Sequence, residues 1–264
     1  MHRFLILLFT ALLCQATILE PAKGQNSPYQ LNWKKEAALF GAGATTLGVG
    51  HLLRAQTEPL STAEIYSLQY KSITGIDRIA IEQNSPRAYH ASNYFLRASF
   101  ALPLMFAAEK QARHALPTIA LLYSETMMLN SGLTLLAKSA VLRPRPFVYN
   151  YDAGLESKQS LHARSSFFSG HTSNVAANTF FAAKVFSDFY PESKWKPLVW
   201  GIAATAPAIT GYLRVKAGKH YPSDVMCGYA VGALAGYFIP HLHKKDGNLK
   251  VYGGPGGAAV QLDF

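Results

Sequence analysis

Apolar residues recur at helical spacing along most of this chain. The pattern predicts helices over Lys34–Arg54, Ser92–Arg113, Leu116–Ser139, Thr172–Tyr190, Trp195–Val215 and Ser223–His241. Each places apolar positions three or four apart and stops near a proline, a glycine or a polar cluster, as helices do. Two shorter helices fit within Ser61–Gln83. Strict alternation, the mark of a half-buried strand, is scarce. Only the Gly-rich stretch Val251–Phe264 alternates toward its end, which fits a strand or an irregular segment. No repeat or low-complexity linker divides the chain. The expected fold is all-α, a bundle of about six main helices.

Several helices carry polar residues inside the apolar pattern: Glu125, Asn130 and Ser131 in one, and Asn174, Asn178, Lys184 and Asp188 in another. Such groups are costly in hydrocarbon unless they face the bundle interior. Lys34–Arg54 and Ser223–His241 are more uniformly apolar. The N-terminus has its own pattern. His2 and Arg3 precede an apolar run from Phe4 to Cys14, and a polar exit ends near Gln25. A basic start, a short apolar run and a polar exit describe a secretory signal peptide, too short for a membrane span. Cys14 lacks the small residues expected before a lipoprotein cysteine. The layout is therefore a leader at 1–25, a helical domain at 26–245 and a Gly-rich tail at 246–264. Removing the leader leaves Cys227 alone, so no disulfide forms within the chain.

A cleaved leader leaves the new N-terminus outside the inner membrane. Three crossings before Lys138 would then put that helix end in the cytoplasm. We therefore expect an exported domain on the periplasmic side, soluble or in contact with the membrane surface. Composition agrees: 49% hydrophobic and 15% charged residues in 264 allow a large core. A mean hydropathy of +0.06 is low for a chain built wholly of lipid-facing spans. The net charge of +10 points to anionic partners. No Lys/Arg run exceeds two and no nucleic-acid motif is present, so phosphorylated substrates or anionic lipid are expected rather than nucleic acid. The sequence carries no signal for an oligomeric state.

Three clusters carry chemistry. The first is Lys138 to Pro146, where Pro144 and Pro146 end a helix and display Lys138, Arg143 and Arg145. Arginine forks match phosphate oxygens and lysine adds a point charge. Alone, the cluster is equally what cations capping a helix C-terminus look like. The second is Ser165 to Asn174, in which Ser169 and Gly170 open a helix and His171 stands at its mouth. Backbone amides at such a start bind anions, although an ordinary serine N-cap reads the same way. The third is Arg214 to Asp224, with His220 and Asp224 four apart across a helix start. A carboxylate on one imidazole nitrogen fixes the tautomer and leaves the other as nucleophile or base. In an up-and-down bundle all three clusters fall at helix ends on one face. One converging site follows.

These clusters resemble the signature of the type-2 phosphatidic acid phosphatase superfamily: Lys-x6-Arg-Pro, then Pro-Ser-Gly-His, then Ser-Arg-x5-His-x3-Asp. Here they read Lys138-x6-Arg145-Pro146, Phe168-Ser169-Gly170-His171 and Leu213-Arg214-x5-His220-x3-Asp224. Phe168 and Leu213 depart from the pattern, and neither removes a group that binds phosphate or moves a proton. The resemblance implies a metal-independent histidine phosphatase without a cofactor. Lys138, Arg145, Arg214, Ser169 and Gly170 would bind the phosphoryl group. His220 would attack phosphorus, Asp224 would orient it, and His171 would protonate the leaving oxygen. The implied substrates are phosphate monoesters or pyrophosphates, of lipids or small molecules, in a bacterial cell envelope. Three other readings keep the same residues. One is a vanadate-dependent haloperoxidase, with vanadate in place of phosphate. Another is a non-enzymatic envelope protein that binds anions or lipid. The third is a transferase that passes the phosphoryl group to an acceptor other than water.

Overall fold

The computed structural model describes residues 27–73, 75–245, 249–254 and 257–262; the expected leader at 1–25 lies outside the described residues. Helix α1 (Trp33–Ala55) starts where the Asn32 side chain accepts the Lys34 amide. A capping box between Ser61 and Glu64 opens α2 (Thr62–Ser67), and two 3₁₀ turns follow at Tyr70–Ser72 and Gly75–Ala80. Ser85 caps α3 (Pro86–Ser99), with proline at its first position, where a missing N–H costs nothing. Short pieces come next: a 3₁₀ turn at Leu102–Leu104, α4 (Met105–Ala108) and α5 (Lys110–Arg113). Then come α6 (Leu116–Val141), a 3₁₀ turn at Pro146–Tyr149, α7 (Leu155–Lys158) and a 3₁₀ turn at Leu161–Arg164. The chain closes with α8 (Gly170–Phe189), α9 (Lys196–Lys216), α10 (Pro222–Leu242) and strands β1 (Leu249–Gly254) and β2 (Gly257–Leu262).

The all-α expectation holds for the bundle. Two boundaries differ. The helix expected over Ser92–Arg113 begins at Pro86 and stops at Ser99. Ser85 and Pro86 form a stronger start signal than Ser92, and Pro103 cannot supply the amide a continuing helix needs. Residues Ser61–Gln83 hold one short α-helix and two 3₁₀ turns in place of two helices. The tail forms an antiparallel hairpin, pairing Leu249 with Leu262 through Gly254 with Gly257.

Helix α8 is the axis of the bundle and packs against α10, α9, α6 and α3, while α1 lies along α6. Helix α10 approaches α8 through Gly228, Gly232 and Gly236, where any Cβ would overlap the carbonyl oxygens of Ser169, Ser173 and Ala177. That contact fixes the N-terminus of α10 against the loop entering α8. The main apolar core, including Phe106, Leu122, Phe181, Val185, Phe189 and Ile239, sits toward the other end of these helices. Polar positions inside the helical pattern face one another. Asn130 donates to Asn174 at 2.8 Å, and Asn178 joins Tyr123 at 2.8 Å and Ser99 at 2.9 Å. Helices α9 and α10 are long and apolar enough to cross a membrane. Their outer faces expose Leu198, Ile202, Ile209, Leu234 and Phe238, which suits contact with lipid.

Candidate active site

Three loops meet where α6 and α9 end and α8 and α10 begin. The α6 helix stops at Leu142 in a left-handed conformation (φ 50°), and Pro144 keeps the chain extended beyond it. Backbone bonds then tie the loops together. The Arg145 amide donates to the Ala163 carbonyl (2.8 Å), the Phe147 amide to Gly218 (3.1 Å) and the Ser169 amide to Asp224 (3.0 Å). Gly218 takes φ +64° against the Gln83 carbonyl, a place no Cβ fits. The α9–α10 turn is thereby locked onto the segment entering α3.

The cations converge as the sequence predicts. Lys138 Nζ donates to the Ser165 carbonyl at 2.8 Å, and Arg145 reaches the same oxygen at 3.2 Å. Arg214 donates to Ser92 Oγ at 3.3 Å and lies over the Tyr89 ring. Arg145, Arg214, His171 and a further cation, Lys219, line a cavity of about 640 Å³ with Tyr89, Phe147, Ser160 and His162. Burial and the neighbouring Arg145 press the Arg214 guanidinium down to about 9. Burial also pushes Lys138 well below the ordinary lysine range, and Arg145 adds to it. Such a group of buried cations is relieved by an oxyanion.

His220 is buried, and its Nδ1 donates to the Ser166 carbonyl at 2.8 Å. A carbonyl only accepts, so the neutral ring carries its lone pair on Nε2. Burial and then Arg145, Lys138, Arg214 and His171 hold its pKa well below the usual histidine range. His171 bonds Asn93 Oδ1 through Nε2 at 2.8 Å, and burial with the same three cations lowers it to about 3. The two imidazoles thus share one cationic environment.

Asp224 sits differently from the sequence expectation. Its Oδ2 is 3.8 Å from His220 Nδ1, beyond hydrogen-bond reach, and the Ser166 carbonyl orients the ring instead. Asp224 accepts from Ser166 Oγ (2.5 Å), the Tyr221 amide (3.0 Å) and Arg143 (2.6 Å). This explains Arg143, which the motif spacing left without a role. Arg143 bridges Asp224 and Asp77 (2.7 Å), and its guanidinium lies 4.0 Å from the Tyr221 ring centre. Asp77 also accepts from the Ser223 amide and hydroxyl at 2.9 and 2.6 Å. Ser169 is buried, and its hydroxyl caps α8 through Thr172, so its backbone places the loop. A Cβ at Gly170 would press on Thr134 Cγ2 at 3.2 Å and only touch Lys138 Cε, at 3.7 Å. The Gly170 and His171 amides stand in the first turn of α8, where a helix supplies no carbonyl partner.

Residues 119–248 match the PAP2 superfamily. The chain carries a PAP2 superfamily domain. That PAP2 domain runs from α6 to the start of the hairpin and holds all three clusters. Two curated proteins share part of it. One is a lipid A 4'-phosphatase of Porphyromonas gingivalis, 30% identical over 93 residues (35% of this chain, 32% of its own length). The other is a lipid A 1-phosphatase of Rhizobium johnstonii, 38% identical over 112 residues (41% of each chain). The match thus spans between a third and two-fifths of these relatives. A transmembrane PAP2 type phosphatidylglycerolphosphate phosphatase from Bacillus subtilis superposes with a TM-score of 0.47 and 21% identity, over 79% of this chain and 98% of that one.

Proposed function

We propose that this PAP2 protein is a membrane-associated phosphatase that removes phosphate from a phosphorylated lipid through a phosphohistidine. One observation carries the reading: Arg145, Arg214 and His171 line one cavity, and the buried Lys138 and His220 lie close enough behind it to feel the same charges. The three cations meet the charge on the equatorial phosphoryl oxygens, with the Gly170 backbone beside them. His220 Nε2 attacks phosphorus in line as the bond to the leaving oxygen breaks, and His171, which takes up a proton once the bound phosphoryl charge offsets the surrounding cations, passes it to that oxygen. Water then attacks the phosphohistidine, His171 takes its proton, and phosphate leaves as the N–P bond breaks. Asp224, beside Nδ1, offsets the charge that the ring gains. Since protein cations meet the phosphate charge, turnover is expected to persist in excess EDTA.

The relatives' lipid A substrates and the exposed apolar faces of α9 and α10 support a lipid phosphate substrate. The leader pattern at 1–25 supports export, with residues 26–245 as the working domain on the periplasmic side. The test is phosphate release by purified protein from a panel of lipid A, phosphatidylglycerol phosphate, phosphatidate and soluble esters. Release from a lipid phosphate is expected. No release from any ester under conditions that keep the protein folded would overturn the proposal.

A further inference from the structure

Glu36, Glu125 and His243 meet at the end of the bundle remote from the cavity, each offering a ligand atom within 4.8 Å of the others. We infer that they form a site for one divalent transition-metal ion of the zinc class, clamping α1 and the end of α10 to α6. Glu125 is 1% exposed, and neither of its carboxylate oxygens has a hydrogen-bond partner among the described residues. A buried carboxylate in that state is costly without a cation. His243 Nδ1 donates to the Ile239 carbonyl at 2.7 Å, which leaves Nε2 facing the carboxylates: it bonds Glu36 as a donor here, and is the nitrogen that would give up its proton to an ion. Glu36 Oε2 is 3.3 Å from Nε2, and Glu125 Oε2 is 3.6 Å from it.

Those separations fit an ion between the atoms. Ligands about 2.0–2.2 Å from a tetrahedral zinc lie about 3.3–3.5 Å apart. A histidine held by a backbone carbonyl at its other nitrogen is the usual supported metal ligand. Glu36 is also fixed, since its Oε1 accepts the Asn32 amide at 2.8 Å. Its side chain is the most exposed of the three and gives the ion a way in. Lys35 turns its ammonium to the Leu242 carbonyl. One imidazole with two carboxylates suits zinc or its neighbours better than calcium or magnesium, which prefer all-oxygen sets.

The site lies outside the phosphatase machinery and stands or falls apart from it. The experiment uses full-length wild-type protein, stripped with EDTA, dialysed against Zn²⁺ and assayed by elemental analysis. One zinc per chain is expected. The melting temperature should rise by about 5–10 °C at roughly a hundredfold excess of Zn²⁺ over its Kd. Glu125→Gln and His243→Gln should lose both the ion and the shift, while Glu192→Gln, at an exposed site, keeps them. X-ray absorption should show nitrogen and oxygen ligands without sulfur, which decides the matter even if a variant fails to fold. No zinc retained by the wild type, a sulfur shell, or a shift that survives Glu125→Gln would overturn the inference. So would a Glu125→Gln protein more stable than stripped wild type with no zinc effect in either, which would mark a shared-proton cluster.

Discussion

The two ends of helix α6 bury charge in opposite ways. Near Val141, Lys138, Arg145 and Arg214 crowd together and, among the described residues, donate to carbonyls and a hydroxyl and to no carboxylate. Of the acids there, Asp77 and Asp224 are engaged by Arg143, and the exposed Glu156 lines the cavity mouth. Toward Leu116, Glu125 lies inside the apolar core with Glu36 and His243 facing it. One end has cations in excess, and the other sets Glu36 and Glu125 against Lys35 and His243, with Glu125 left without a hydrogen-bond partner among the described residues. Buried charge without a counter-charge destabilises a fold, so both ends point to ligands of opposite sign. The cationic end opens into a cavity large enough for an ester, and the acidic end brings three ligand atoms within 4.8 Å of one another.

The largest effect expected at the cationic end comes from His220→Ala. Loss of a nucleophile removes on the order of 10⁴-fold or more of turnover. Circular dichroism should show an intact fold, and phosphate release should fall to background. Near-normal release would remove His220 from the mechanism and leave the cationic end as a binding site. The next effect is His171→Ala, expected to cost about 10²–10⁴-fold with an alkyl phosphate. With p-nitrophenyl phosphate the loss should be much smaller, because that leaving group departs without a proton. Equal losses on both substrates would assign His171 to binding.

The cationic end was legible in the sequence because each part of it is local. Lys138 and Arg145 share one helix end, His171 opens the next helix, and Arg214, His220 and Asp224 lie within a single turn. Helical periodicity then aligned those ends. Hydrogen bonds across loops were not legible. Nothing in the spacing of His220 and Asp224 shows that the Ser166 carbonyl comes between them. Asp77 and Asn93 lie on elements far from the motifs, so only tertiary packing brings them to Arg143 and His171. The acidic end was hidden for the same reason. Glu36, Glu125 and His243 come from three separate helices or their ends, and Glu125 showed only as a polar residue in an apolar helix. The helix expected over Ser92–Arg113 failed locally, where Pro103 outweighed the apolar period.

Arg143 tests whether the cationic end depends on its own ion pairs. It is a positioning residue, since it touches Asp224 and Asp77 and does not line the cavity. Arg143→Ala should lower kcat by about 10–100-fold, the range typical of supporting contacts, with little change in KM. It should also destabilise the fold, because Asp224 is fully buried and would lose its charge partner. Arg143→Lys should restore part of both. A change confined to KM would mean that Arg143 binds substrate.

The smallest effect is a pH dependence that separates the neutral histidines from the rest of the fold. Burial and the cations around it bring His171 down to about 3, against 6.5 for the free side chain. Between those values the unfolded chain binds a proton that the folded chain does not. The contribution of His171 to stability must therefore fall as pH drops below 6.5 toward 3. Asp77 complicates only the acid side. Burial lifts its carboxyl, and bonds from Ser223 and Arg143 outweigh that, so its contribution is lost below the ordinary carboxylate range. Glu125, which burial pushes up to about 8, works in the opposite direction over the same range, so urea midpoints from pH 7 down to 4.5 give the His171 share as the difference between wild type and His171→Gln. His171→Gln should reduce the fall in part, since His220, His162 and His241 are also held below the usual histidine range. Saturating vanadate or phosphate should also flatten it, because an anion among Lys138, Arg145 and Arg214 makes a charged His171 less costly. An unchanged slope in His171→Gln, with and without the anion, would mean that this histidine is not held neutral by its neighbours and that the cationic end is more open to water than its packing implies.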